Sequence, residues 1–108
     1  LIRLCRLDEL KPGGSRGFDA ENTGVDTVFA VRRGDEVRVY RNLCPHAGAR
    51  LEYRKDRFLS PDGKHVVCYA HGAVFDPDTG VCTDGPCLGQ SLEAVPCLIE
   101  SGWIWIEP

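Results

Sequence analysis

Two short stretches decide how this chain is read: Cys44-Pro45-His46 and Cys68-Tyr69-Ala70-His71. Each offers one sulfur and one imidazole, and 21 residues separate His46 from Cys68. A Cys₂His₂ set can hold one tetrahedral zinc, or a binuclear iron–sulfur cluster in which two His replace two Cys on one iron. Zinc fingers usually group like ligands, Cys with Cys and His with His. Here each stretch carries one of each type. Two loops that each give one ligand to each metal suit a two-iron cluster, with Cys44 and Cys68 on one iron and His46 and His71 on the other. The alternatives at this level are a zinc site, or four unrelated residues with the thiols buried as small apolar groups.

The surrounding residues narrow the choice. Gly48 follows His46 by two positions, and Gly72 follows His71 directly. The segment Cys68 to Asp76 (CYAHGAVFD), the turn Asp78-Thr79-Gly80 and the pair Gly85-Pro86 complete a pattern over roughly residues 40 to 90. This pattern resembles the Rieske [2Fe–2S] family, and the chain length is that of one Rieske domain, 1–108. The resemblance implies one [2Fe–2S] cluster per chain, held by Cys44, His46, Cys68 and His71, with Gly85-Pro86 in a third loop covering it.

Departures from the family pattern bear on the electron chemistry. High-potential relatives in cytochrome bc-type complexes carry an extra Cys in each ligand loop, joined as a disulfide. The matching positions here are Ala49 and Ala70. Those relatives also bond a Ser and a Tyr hydroxyl to cluster sulfurs. The matching positions are Ala73 and Phe75, which have no side-chain donor. The resemblance therefore implies a low potential, near the bottom of the Rieske range of about −150 to +300 mV. It points to a ferredoxin-like carrier between a flavoprotein reductase and an oxygenase or other acceptor. The alternatives are a small Rieske subunit of a larger oxidoreductase, as in nitrite reductases, or a redox or iron sensor. Tyr69-Ala70, the longer spacer at Asp56 to Lys64 and the wording of Gly85 to Gly89 set the chain apart from typical dioxygenase ferredoxins. In the family the ligand imidazoles lie at an exposed tip. Pro45, Ala47, Tyr69, Ala70, Pro86 and Leu88 would form an apolar rim there, suited to a brief docking contact.

Composition excludes other classes. The chain has 108 residues and a formal charge of −3, which fits one modest core and gives no basic stripe for nucleic acid. No apolar run is long enough to span a membrane and no signal peptide is in view, so the expectation is a cytoplasmic protein, monomeric or in a weak complex. An oxygenase iron needs two His and a carboxylate. With three His, two of them assigned to the cluster, the chain is expected to be a carrier and not an enzyme. His65 is read as a surface residue. Of the six cysteines, Cys5 and Cys97 are expected as buried thiols. Cys82 and Cys87 flank a turn and could approach each other, but free thiols are favoured in a reducing cytosol.

The rest reads as a small all-β domain, an antiparallel sandwich with a cluster-binding subdomain from 43 to about 90. Ile2 to Leu7 alternates as a half-buried strand, and one turn follows before Lys11-Pro12-Gly13-Gly14. Gly17 to Ala20 is a short strand. Val25 to Arg33 and Glu36 to Leu43 form a hairpin through Gly34-Asp35, with Phe29, Val31, Val37, Val39 and Leu43 as core and Arg32, Arg33, Arg38 and Arg41 facing water. Lys64 to Tyr69 and Ala73 to Phe75 flank the second ligand loop, so each ligand pair is expected at a hairpin tip. Leu92 to Glu100 and Trp103 to Glu107 close the chain through Ser101-Gly102, with Trp103 and Trp105 packed in the core.

Overall fold

The computed structural model describes residues 1–45, 49–52 and 54–107. Among these residues ten short strands follow one another: β1 (Ile2–Arg6), β2 (Ser15–Phe18), β3 (Val28–Arg33), β4 (Glu36–Arg41), β5 (Val66–Cys68), β6 (Ala73–Phe75), β7 (Cys82–Asp84), β8 (Ala94–Val95), β9 (Cys97–Glu100) and β10 (Trp103–Ile106). Among the described residues a single 3₁₀ turn spans Leu7–Glu9. The strands make three antiparallel sheets, ordered β1-β10-β9, β2-β3-β4-β8 and β5-β6-β7. The all-β antiparallel architecture is the expected one.

The middle sheet is covered on both faces. Strand β3 shows why, because its first four residues, Val28-Phe29-Ala30-Val31, are all buried. A continuous apolar run is the mark of a strand with no wet face. Val28 and Ala30 point into one core with Val37, Val39, Cys5, Ile104 and Ile106. Phe29 and Val31 point into the other, with Tyr40, Phe58, Val66 and Phe75. So β1-β10-β9 packs on one side of the β3–β4 hairpin, and the sheet that carries the second ligand loop packs on the other.

The second core is aromatic. Phe29 stacks on Phe58 with ring centroids 4.4 Å apart and planes 9° from parallel, and Tyr40 meets Phe29 at 5.8 Å. The Tyr40 hydroxyl donates to the Pro77 carbonyl at 2.9 Å, and burial pushes its pKa up to about 12. Gly80, with φ +77°, lies so close to this ring that a Cβ would stand 2.8 Å from Tyr40 Cε1. The Phe58→Ala variant is expected to lose about 3–5 kcal/mol of stability, read as a lower denaturant midpoint with an unchanged slope.

Five expectations need correction. Leu43 is 51% exposed, because β4 ends at Arg41 and Asn42 occupies the buried position beyond it. Arg32 does not face water. Its side chain is 14% exposed, and its guanidinium donates to the carbonyls of Leu7 (3.2 Å) and Leu10 (2.8 Å), closing the 3₁₀ turn onto β3. Trp103 and Trp105 do share a face, but it is the outer one. Ile104 and Ile106 fill the core, and the guanidinium of Arg3 lies 4.4 Å from the Trp103 ring and 5.9 Å from the Trp105 ring, a cation–π cover. Finally, no regular strand follows the first ligand loop among the described residues, so that loop is not at a hairpin tip. The runs 49–52 and 54–59 return as irregular chain, held by the contacts below. The first β strand of the middle sheet also begins earlier than expected, at Ser15 instead of Gly17.

Candidate metal centre

Strands β5 and β6 build the second loop. Cys68 pairs with Ala73, and Val66 with Phe75, so all four side chains share one buried face. The turn between them closes with the Gly72 amide donating to the Cys68 carbonyl at 2.8 Å. Gly72 has φ +76°, a conformation that glycine adopts without strain. His71 lies on the exposed side of this turn, and His65 is exposed at its other end.

The first loop is anchored at its base. The Cys44 amide donates to the Ala49 carbonyl at 2.7 Å. Asn42, the buried polar residue before it, donates to the Asp26 carbonyl (3.0 Å) and to Glu52 (2.7 Å), and its Oδ1 accepts from the Leu51 amide (2.9 Å). The two loops are tied together where the Tyr69 amide donates to the Leu51 carbonyl at 3.0 Å, and where the Tyr69 hydroxyl donates to the Leu59 carbonyl. His46 and Ala47 lie outside the described residues, so the full ligand set and the expected rim are seen in part.

What the described residues bring together is sulfur. Cys44 and Cys68, on different loops, are fully buried and in side-chain contact. Burial, and then the Cys44 sulfur, push the Cys68 thiol pKa up, while the backbone amides of His71 and Ala70 bond to its sulfur and favour the thiolate. Among the described residues no three His, Cys, Asp or Glu side chains form a metal-holding group; His46 is not one of those residues. The donor set nevertheless fits the expected cluster in kind, with two soft ligands inside, amide donors aimed at one of them, and an imidazole at the exposed lip.

The third loop presses on the second. Gly85 has φ +99°, and a Cβ there would stand 2.8 Å from the Ala73 Cα and 3.1 Å from the Gly72 carbonyl oxygen. The Gly85→Ala variant is therefore expected to lose about 1–3 kcal/mol from backbone conformation alone. The clash with backbone adds to that, and a fall in melting temperature measures the sum. Beyond Gly85, Pro86 and Leu88 are exposed, as are Tyr69 and Ala70, with Pro45 half-buried. Cys87 turns inward, with its sulfur 3.2 Å from that of Cys82 and close to that of Cys44. The approach to Cys82 is the one the flanked turn allows, whereas the approach to Cys44 has no signal in the sequence.

The Rieske [2Fe–2S] domain model matches residues 1–99 of the chain. The chain belongs to that family. This Rieske chain is 33% identical to the ferredoxin of carbazole 1,9a-dioxygenase from Nocardioides aromaticivorans IC177, with 99% of this chain and 96% of that one covered and a TM-score of 0.76. It is 29% identical to a Sphingomonas yanoikuyae B1 ferredoxin, covering 99% and 97% of the two chains, with a TM-score of 0.73. A curated relative, ferredoxin CarAc of Metapseudomonas resinovorans, is 26% identical over 80% of this chain and 74% of its own length. The fold is that of the Rieske-type ferredoxins, and the cofactor implied is one [2Fe–2S] cluster.

Proposed function

We propose that this Rieske chain is a one-electron carrier, with Cys44 and Cys68 on one iron and His46 and His71 on the other. Residues 43 to about 90 form its cluster-binding subdomain. It serves as a carrier and has no catalytic site of its own. It receives an electron from a flavoprotein reductase and passes it to an oxygenase or similar acceptor, in the cytoplasm. The observation that carries this reading is the pair of buried cysteines, Cys44 and Cys68, on two loops tied together by the Tyr69 amide on the Leu51 carbonyl, beneath an exposed His71. It is supported by likeness over nearly the whole length to a ferredoxin of a dioxygenase. No helix among the described residues is long and apolar enough to cross a membrane.

When bound, the cluster supplies a centre that takes up and gives back one electron. The chain sets its energy and its exit. The Ala70 and His71 amides stabilise negative charge at the Cys68 sulfur, which favours the reduced form. Ala73 and Phe75 share the face of Cys68 and add no side-chain donor. His71 stands at the exposed lip among Tyr69, Ala70, Pro86 and Leu88, where a partner can approach closely without a large interface.

An EPR-monitored redox titration of the purified protein tests the proposal. A Rieske-type signal that appears near the bottom of the range of about −150 to +300 mV is expected. A signal at the top of that range would overturn the argument from Ala73 and Phe75. Zinc in place of iron would overturn the cluster assignment.

A further inference from the structure

Two of the buried sulfurs near the site stand outside the ligand motif. Cys82 on β7 and Cys87 in the third loop are 2% and 1% exposed, five positions apart across the turn 83–86, with their sulfurs 3.2 Å apart. The Cys87 S–H donates to the Cys82 sulfur, and the Cys82 S–H donates to the Asp84 carbonyl at 3.1 Å. The loop holding them is closed by the Cys82 amide on the Gln90 carbonyl (2.7 Å) and the Gly89 amide on the Cys82 carbonyl (3.2 Å). Only exposed residues, 83–86 and 88–91, lie outside the pair.

We propose that Cys82 and Cys87 are a reversible disulfide site. The oxidant is a hydroperoxide. Burial pushes the Cys87 thiol up to about 12, so the Cys82 sulfur is the one that attacks the O–O bond, which breaks, giving a sulfenic acid and an alcohol or water. The second sulfur then attacks the first, the S–S bond forms, the S–O bond breaks, and water leaves. The two thiols lose two electrons and the peroxide gains them. Two equivalents of a small thiol reverse the change by exchange. Transient pairing of this kind is the usual form of a cytosolic disulfide.

The test treats the cluster-loaded protein with stoichiometric hydrogen peroxide. It is then denatured in N-ethylmaleimide, reduced, labelled with iodoacetamide and mapped by mass spectrometry. Cys82 and Cys87 are expected to move together from the first label to the second, with dithiothreitol restoring the original pattern. In Cys82→Ala, Cys87 is expected to stay on the first label. First label retained on both, or second label on Cys44 and Cys68 instead, overturns the disulfide site. If EPR finds no cluster at all, the proposed function has failed, and the label map still decides the disulfide by itself.

Discussion

The Cys68→Ala protein is expected to purify without iron and without the visible absorption of the native chain, a complete loss instead of a partial one. Cys68 lies at the end of β5 with no exposed surface. Its sulfur touches that of Cys44 and receives the Ala70 and His71 amides. Removing it leaves those amides without their acceptor and leaves one thiolate where two are needed. Iron analysis and EPR of the variant beside the native protein make the measurement. Circular dichroism of both separates loss of the cluster from loss of the fold. Near-native iron in Cys68→Ala would exclude Cys68 as a ligand.

The second large effect is on potential. Ala73 stands opposite Cys68 in the β5–β6 ladder, on the same buried face. Ala73→Ser places a hydroxyl beside the sulfur with no water to compete for it. A hydrogen bond to a charged group is worth about 1.5–3 kcal/mol. For a one-electron couple, 59 mV corresponds to about 1.4 kcal/mol, so the midpoint is expected to rise by about 60–130 mV. Phe75→Tyr adds a hydroxyl one step deeper on that face and should act in the same direction. Val74 lies on the opposite, half-exposed face, so Val74→Ser serves as the control and should leave the midpoint where it is. A fall in potential for Ala73→Ser would mean that the hydroxyl bonds elsewhere, and the account of the low potential would have to be abandoned.

Much of this was legible in the residues. The paired Cys and His motifs, the Gly34-Asp35 hairpin and the closing hairpin all come from strong local signals, namely ligand spacing and turn chemistry. What alternation could not supply was the choice of face. In Trp103-Ile104-Trp105-Ile106 both faces are apolar. The decision fell to Arg3 and Arg6, which cover Trp103 from outside, while the isoleucines pack inside. Leu43 was misread for a similar reason, since one buried amide at Asn42 ends the alternation. Arg32 looked like one of several solvated arginines. Only the folded chain brings the Leu7 and Leu10 carbonyls to it. The contact of Cys87 with Cys44 joins residues 43 positions apart, and no local pattern encodes it.

The double burial of β3 has a consequence for the protein without its cluster. Val28 and Ala30 belong to a core that needs nothing from the ligand loops, whereas Phe29, Val31 and Tyr40 are covered by the elements that carry them. Cluster loss should therefore leave half the molecule standing and uncover an aromatic wall on the other half. Hydrogen exchange would then show β1, β9 and β10 still protected while β5 to β7 exchange freely. A chain in that condition is folded enough to persist and sticky enough to be caught by chaperones or by its own copies. The cell's supply of iron and sulfide would decide how much of this protein aggregates.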